Sequence, residues 1–223
     1  MMMPFPDGLE AHPNGTLLFS AALALFYLLM QRRAPSWRRT FAKAGSIVLL
    51  AVLSLIVGGP GLLAVALTLS AAGDAFLAQD GEKSFLAGLA SFLAAHLVYI
   101  ALFMVAGSGV EILVAQPWRL ALPVAATLVG AVLLLRLLQV VPAAMRLPIT
   151  VYVVAIAAMM LASATVPVPL VMLGAALFVA SDAILAVERF LLAPNSSHRI
   201  WAGPAVWILY YLAQALLTLG FVL

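Results

Sequence analysis

Eight long stretches of apolar residues run through this chain, and short segments rich in Pro, Gly and charged residues separate them. Each stretch approaches the roughly 20 residues that an α-helix needs to cross the hydrocarbon core of a bilayer. Only 9% of the residues are charged, against about 25% in a soluble domain. We predict an all-α membrane protein with eight transmembrane helices in a single integral membrane domain over residues 1–223. The predicted spans lie near residues 16–31, 42–57, 61–78, 84–106, 119–138, 147–164, 168–187 and 204–222.

The basic residues predict how these helices are oriented, because Lys and Arg accumulate in cytoplasmic loops. If the segment QRRAPSWRR (31–39) is cytoplasmic, Arg119 is the one basic residue on the opposite side, and both termini are non-cytoplasmic. The segment before the first stretch has no Lys or Arg, so we expect that stretch to be kept as a span rather than removed as a secretory signal. The basic residues predicted on the cytoplasmic side are Arg32, Arg33, Arg38, Arg39, Lys43, Lys83, Arg136, Arg146, Arg189 and Arg199.

Several classes of function have no support in the sequence. There is no cysteine, which removes disulfides and thiolate nucleophiles, and only His96 of the three histidines lies in an apolar stretch, so we expect no metal site. The motifs G-x-S-x-G and H-E-x-x-H and a glycine-rich phosphate loop are missing. The net charge of +3 follows from the cytoplasmic bias, so we expect no nucleic-acid partner. An alternative role for QRRAPSWRR is to bind an anionic lipid headgroup.

A short internal similarity relates the two halves of the chain. Residues 73–78 read GDAFLA at the end of the third predicted span, and residues 181–186 read SDAILA in the seventh. The spans that follow carry polar pairs at the same step, His96 with Tyr99 and Tyr211 with Gln214. A parallel repeat of four plus four helices, related by an axis along the membrane normal, predicts this pattern.

Two acidic residues, Asp74 and Asp182, lie inside apolar helices. An acid at the centre of a spanning helix costs about 2.5–3.5 kcal/mol on insertion scales, so intramembrane acids indicate function. The predicted repeat would place both at the same depth, facing one another. Burial and a second carboxylate both favour the neutral form, so we expect one protonated and one ionised group, an acid and a base. The alternative is structural: each Asp would bond a neighbouring helix and fix its packing. The other acids, Asp7, Glu10, Asp80, Glu82, Glu111 and Glu188, lie in predicted loops or at helix ends.

Further polar residues lie at compatible depths on the predicted helices and indicate a cavity that opens to the cytoplasmic leaflet. His96 alone is explained as well by a bond to a neighbouring helix, and Lys43 by extension of its ammonium to the interface. The alternative role for Lys43 is to bind a phosphate group. The candidate binding residues are Lys43, His96, Tyr99, Tyr152, Tyr210, Tyr211 and Gln214.

Five blocks of the sequence, in order, resemble the YhhN family of eight-span membrane proteins, which includes the lysoplasmalogenases. They are Lys43, GDAFL (73–77), FLAGLASFLAAHLVYIALF (85–103), VYVVAIAAMMLASA (151–164), and SDAILAVERF (181–190) with YYLAQALLTLG (210–220). One departure is Ala44, where family members usually have proline after the lysine. The resemblance implies hydrolysis of the vinyl ether bond of a lysoplasmalogen, giving a fatty aldehyde and glycerophosphoethanolamine or glycerophosphocholine, without a cofactor.

Acid-catalysed cleavage of a vinyl ether passes through an oxocarbenium ion, so it needs a neutral acid and an anion. Asp74 and Asp182 would supply them, as paired carboxylates do in glycosidases, and either could be the acid. The main alternative is a small proton-coupled transporter of a lipid or small amphiphile, and a third is a scaffold without chemistry. The expected partners are a lysophospholipid substrate and membrane lipids. The alanine-rich, cysteine-free composition favours a bacterial inner membrane.

Overall fold

The computed structural model describes residues 4–6 and 12–223, and in that part of the chain the regular structure is entirely helical. The predicted all-α class is therefore confirmed, while Asp7 and Glu10 lie outside the described residues. The helices are α1 (His12–Met30), α2 (Trp37–Ile56), α3 (Gly61–Leu77), α4 (Glu82–Ala106), α5 (Glu111–Ala115), α6 (Ala121–Val140), α7 (Ala143–Ser163), α8 (Pro169–Phe190) and α9 (Arg199–Val222), with a 3₁₀ turn at Pro117–Leu120 before α6.

Seven of the described helices are long and apolar enough to cross a bilayer, which indicates a multi-pass membrane protein. The remaining apolar helix, α3, has 17 residues and corresponds to the third predicted span. Its 17 residues rise about 25 Å, slightly less than the roughly 30 Å hydrocarbon core. The eight-span count, the four-plus-four repeat and the orientation of the termini stay predictions.

Several helices begin earlier than the predicted spans because their first turns are polar. The α2 helix begins at Trp37, five residues before the predicted span, and takes in Arg38 and Arg39. The hydroxyl of Ser36 caps this end by accepting a hydrogen bond from the backbone N–H of Arg39 at 3.3 Å. Hydropathy locates the apolar part of a helix, whereas a cap of this kind determines where the helix begins.

The described helices divide into two compact units. The first contains residues up to Leu102 together with Leu217–Leu223, and the second contains Phe103–Leu216. The α4 and α9 helices each contribute to both units. The prediction of a single membrane domain is not tested by this division.

Small residues and serine hydroxyls hold the helices of the first unit together. The α2 helix packs against both α1 and α3, and Ser20 of α1 donates a hydrogen bond to the carbonyl oxygen of Ser46 at 2.7 Å. Ser91 of α4 likewise donates to the carbonyl of Leu69 of α3 at 2.7 Å. At Gly73, a Cβ atom would lie 2.7 Å from the ring of Phe92, so only glycine allows this approach of α3 and α4.

In the second unit, α6, α7 and α8 pack against one another. A buried arginine, Arg119, closes the end of α7, because its guanidinium donates hydrogen bonds to the carbonyls of Ala164, Val166 and Pro167. Gln116 accepts a further bond from its Nε at 2.9 Å. The exception in the predicted distribution of basic residues therefore has a structural role, since it satisfies carbonyls that the end of α7 leaves open.

Candidate functional site

The first unit places Asp74 in an ion pair with Lys43. The Lys43 Nζ of α2 lies 3.1 Å from the Asp74 Oδ1 of α3, and the Asp74 side chain is only 1% exposed. The ammonium also lies 5.7 Å from the centre of the Tyr27 ring of α1, which is cation–π distance. Three helices thus contribute to one buried charged cluster. An ion pair that is buried in this way stabilises the charged forms of both partners.

The α4 helix turns the face that carries His96 towards α3. Phe92, one turn before His96, contacts Gly73. Leu69 of α3 accepts a hydrogen bond from Ser91, whereas Leu77, two turns later in α3, lies beside Gly88, which is earlier in α4, so the two helices run antiparallel. In this register Asp74 is level with Ala87, and His96 lies nine residues farther along α4, about 14 Å deeper. His96 and Tyr99 are both fully buried. The structure therefore separates these two candidates from Asp74 along the helix axis.

The second unit places Asp182 in a hydrogen bond with a tyrosine. The Tyr152 hydroxyl of α7 donates to the Asp182 Oδ2 of α8 at 2.5 Å, and both side chains are half-buried. One residue earlier, Ser181 donates to the carbonyl of Val206 of α9 at 3.0 Å and joins α8 to α9. Asp182 thus accepts a hydrogen bond from a neutral phenol, whereas Asp74 pairs with an ammonium.

The remaining candidates, Tyr210, Tyr211 and Gln214, lie on α9 at successive positions along the helix axis. Tyr210 is buried and meets the ring of Phe178 edge-on, with 5.4 Å between ring centres. The Trp207 ring lies 5.7 Å from that of Tyr210 and 6.2 Å from that of Tyr211. Gln214 is fully buried one turn beyond Tyr210. Because Ser181 bonds Val206, Gln214 lies about 12 Å farther along the axis than Asp182.

The two units resemble each other in how they hold an aspartate. In each unit the aspartate is bonded by a side chain of the preceding long helix, Lys43 for Asp74 and Tyr152 for Asp182. In each unit a buried polar side chain, His96 or Gln214, follows on the next long helix about 12–14 Å along its axis. The predicted repeat aligns His96 with Tyr211 and Tyr99 with Gln214, so this likeness is looser than that alignment, and the repeat stays a prediction.

Two side chains near Asp74 were not among the predicted site residues. Tyr27 contacts the Lys43 ammonium, and the only sequence signal for it is a polar hydroxyl within an apolar span. Ser70, one turn before Asp74 on the same face of α3, is fully buried, and its hydroxyl has no hydrogen-bond partner among the described residues. Over residues 4–6 and 12–223, no three His, Asp or Glu side chains are grouped so that they could hold a metal ion.

Comparison with known proteins assigns the chain to a family. The sequence model of the YhhN family matches residues 38–221, which include both aspartates together with Lys43 and Tyr152, but not Tyr27. The chain belongs to the YhhN family. The resemblance that the five sequence blocks indicate is therefore confirmed.

Two curated relatives of this YhhN protein, from Mycobacterium bovis and Mycobacterium tuberculosis, are both named lysoplasmalogenase. Each is 34% identical over 164 residues, which cover 71% of this chain and 59% of the relative. The chain thus spans about three fifths of the length of the curated relatives it matches. No solved structure matches it.

Proposed function

We propose that this YhhN protein hydrolyses the vinyl ether bond of a lysoplasmalogen, a lysophospholipid whose one chain is joined to glycerol through an enol ether. The products are a fatty aldehyde and glycerophosphoethanolamine or glycerophosphocholine. The family and the two relatives named lysoplasmalogenase support the class of reaction. The observation that carries the mechanism is that two intramembrane aspartates have different partners, an ammonium for Asp74 and a phenol for Asp182.

The partners favour Asp182 as the proton donor. Protonating Asp74 would remove the carboxylate charge from its pair with Lys43, and losing one partner of a buried pair costs about 3–5 kcal/mol. Protonating Asp182 takes no counter-charge away from Tyr152, because the bond that it accepts from this residue comes from a neutral phenol. Asp182 is thus the carboxyl group that gains and loses a proton at lower cost.

Asp74 then serves as the permanent anion. Its pair with Lys43 keeps it ionised, and a fixed negative charge in a low-dielectric site stabilises a developing cation without reorganisation. The buried Ser70 hydroxyl, one turn deeper on the same face of α3, can bond the attacking water. A contact of Lys43 with the substrate phosphate, which the sequence also predicts, is compatible with this role because an ammonium has three donors.

The reaction balances with water as the only co-substrate. The π electrons of the vinyl group form a C–H bond with the Asp182 proton at the carbon remote from oxygen, which leaves an oxocarbenium ion. Water adds to the carbon next to oxygen and gives a proton back to Asp182, as general acid–base catalysis allows. The hemiacetal moves its hydroxyl proton to the ether oxygen, and cleavage of the C–O bond yields aldehyde and alcohol.

The other candidate residues bind the substrate or water and take no part in proton transfer. Tyr210 and Tyr211 would hold the glycerol part, since they lie within about two turns of the level of Asp182. His96, Tyr99 and Gln214 lie deeper and would contact water or the first part of the chain. No cofactor enters these steps. A membrane-embedded site suits a substrate that resides in the bilayer, and we place the protein in a bacterial inner membrane.

The test is aldehyde release from lysoplasmenylethanolamine by the purified protein in detergent. We expect the unaltered protein to release aldehyde and to leave the saturated alkyl-ether analogue intact, because only a vinyl ether can be protonated at carbon. Asp182→Asn and Asp74→Asn should each lose nearly all activity while the protein keeps its helical circular dichroism. The double variant should lose no more than the worse single variant if both groups act on one step.

Two outcomes would contradict the proposal. Full activity in correctly folded Asp74→Asn and Asp182→Asn proteins would remove both aspartates from the reaction. No aldehyde from a well-folded unaltered protein would remove this substrate, and proton-coupled uptake into proteoliposomes would then favour the transporter alternative.

A further inference from the structure

A groove of about 740 Å³ lies on the second unit, between α6, α8 and the start of α9. Its volume is within the roughly 300–1,000 Å³ of small-molecule sites. The walls are apolar, and the polar side chains that line it are Arg136, His198 and Trp201. The other lining residues are Leu128, Val129, Val132, Leu133, Ala183, Ile184, Val187, Leu192 and Ala202. No acidic residue lines it.

The shape of the groove follows from the sequence of its walls. Along α6, residues Leu128, Val132 and Arg136 recur at steps of four and form one face, and Ala183 and Ala202 opposite it leave volume that larger side chains would fill. From Leu128 to Arg136 the helix rises about 12 Å, close to the roughly 15 Å of hydrocarbon in one leaflet. The groove therefore has the length of a lipid chain segment in a single leaflet.

The polar residues of the groove can bind an anion. Arg136 is exposed and forms no hydrogen bond or ion pair with the described residues. Trp201 Nε1 donates to His198 Nδ1 at 3.3 Å, so in the neutral ring the proton of His198 lies on Nε2, which can donate. A tryptophan beside basic residues is typical of the level of lipid headgroups.

A neighbouring arginine, Arg199, differs from Arg136 because its donors are already bonded to backbone carbonyls. The Arg199 guanidinium donates to the carbonyls of Glu188, Leu192 and Ala193, so it is used to close the end of α8. These bonds fix the segment between α8 and α9 that carries Leu192 and His198 into the groove wall. Arg136 and His198 are thus the donors that the groove offers to a ligand.

We propose that this groove binds an anionic phospholipid, with one acyl chain along α6 and the phosphate at Arg136 and His198. The proposal is independent of the vinyl ether reaction, because Asp182 and Tyr152 are not among the lining residues. Charge complementarity selects an anionic headgroup over a zwitterionic one, and the apolar walls select a lipid over a free phosphate ester.

The test uses Trp201 as a probe in the whole purified protein. Its fluorescence, taken as the difference between the unaltered protein and Trp201→Phe, is followed in detergent as phospholipids with bromine near the ester end of their chains are added. We expect half-quenching at an about fivefold lower fraction of brominated phosphatidylglycerol than of phosphatidylcholine. A factor of about five is the gain in affinity for an anionic lipid that one basic residue near the lipid surface provides. Arg136→Gln should remove that difference.

Two matched variants separate this site from general effects. Arg146, also basic and exposed in the second unit, does not line the groove, so Arg146→Gln should keep the preference. Val132→Phe, which fills the groove, should weaken quenching by both lipids, whereas Val124→Phe on α6 outside it should not. Equal quenching by the two lipids, equal effects of the two arginine variants, or displacement by glycerol phosphate alone would overturn the proposal.

Discussion

Asp74 and Asp182 have the same side chain in similar sequence contexts, yet one is paired with an ammonium and the other with a phenol. The difference separates the two carboxyl groups chemically, since an ammonium counter-charge favours the ionised carboxylate more strongly than a hydrogen bond from a neutral phenol does. At the scale of single residues, the partners therefore matter as much as the acids themselves.

The first prediction concerns the partner of Asp74. Lys43→Met should lower the free energy of unfolding in detergent by about 3–5 kcal/mol, because it leaves a buried carboxylate without its counter-charge. Lys43→Met with Asp74→Asn should recover most of that loss and still be inactive. The measurement is a double-mutant cycle by chemical denaturation. Lys83→Met, at an exposed lysine of α4, is the control, and an equal loss there would refute the buried pair.

A second prediction separates positioning from substrate binding at Tyr152. Tyr152→Phe removes the hydrogen bond to Asp182, so kcat for aldehyde release should fall about tenfold, or about 1.4 kcal/mol, with KM unchanged. Thr150→Val on the same helix removes an exposed hydroxyl that bonds its own backbone, and it should change neither constant. A raised KM with unchanged kcat would instead mean that Tyr152 binds substrate, as the sequence predicts.

The sequence indicates which residues of the site are chemically important but not which of them touch. Asp74 and Asp182 stand out because an acid in an apolar helix is costly. The pairing of Lys43 with Asp74 and Tyr27 depends on how α1, α2 and α3 are rotated about their axes, and hydropathy carries little information about rotation. The axial separation of His96 from Asp74 depends on the register of α3 and α4, which small residues determine.

At the scale of helices, the contact of α3 with α4 depends on the missing side chain of Gly73. This glycine directly precedes Asp74, so the close approach of α3 to α4 fixes the part of α3 that carries the aspartate. The sequence shows the glycine as part of a repeated motif, whereas its packing role becomes visible only when the Phe92 ring lies against it. The ends of helices are limited in the same way. The sequence predicts the apolar part of α2, but the helix begins five residues earlier, at Trp37, where Ser36 caps it.

The third prediction tests that contact. Gly73→Ala should lower the free energy of unfolding by about 1–3 kcal/mol, because the new Cβ atom would lie 2.7 Å from the buried ring of Phe92. Gly130→Ala on α6 is the matched control, since the nearest atom to its Cβ is 4.0 Å away. Adding Phe92→Leu to Gly73→Ala should restore part of the stability. Equal melting temperatures for the two single variants would contradict the packing described here.

At the scale of the whole molecule, the two units have equivalent arrangements: an aspartate, a bonding partner on the preceding long helix and a buried polar residue on the next. A parallel repeat has both copies in the same orientation, so equivalent helices must be offset by an even number of spans. The number of spans therefore bears directly on the repeat. Whether the two copies have the same orientation therefore depends on whether α3, the shortest of the long helices, crosses the bilayer.

The fourth prediction is that α3 does cross. Its 17 residues rise about 25 Å, and slight thinning of the bilayer accommodates a helix that is a few ångströms short. The charge of Asp74 near its end is paired with Lys43, which lowers the cost of insertion. We therefore expect the two ends of α3 to face opposite sides of the membrane.

Because the chain contains no cysteine, single cysteines can report each end without background. Gly61→Cys is at the first residue of α3, where a side chain meets no neighbour, and Asp80→Cys is at an exposed position three residues beyond the last. In intact spheroplasts an impermeant maleimide should label Gly61→Cys and a Ser108→Cys reference, and should label Asp80→Cys only after permeabilisation. Labelling of Gly61→Cys and Asp80→Cys from the same side would mean that α3 does not span. The two aspartate units would then have opposite orientations, and the parallel repeat would be wrong.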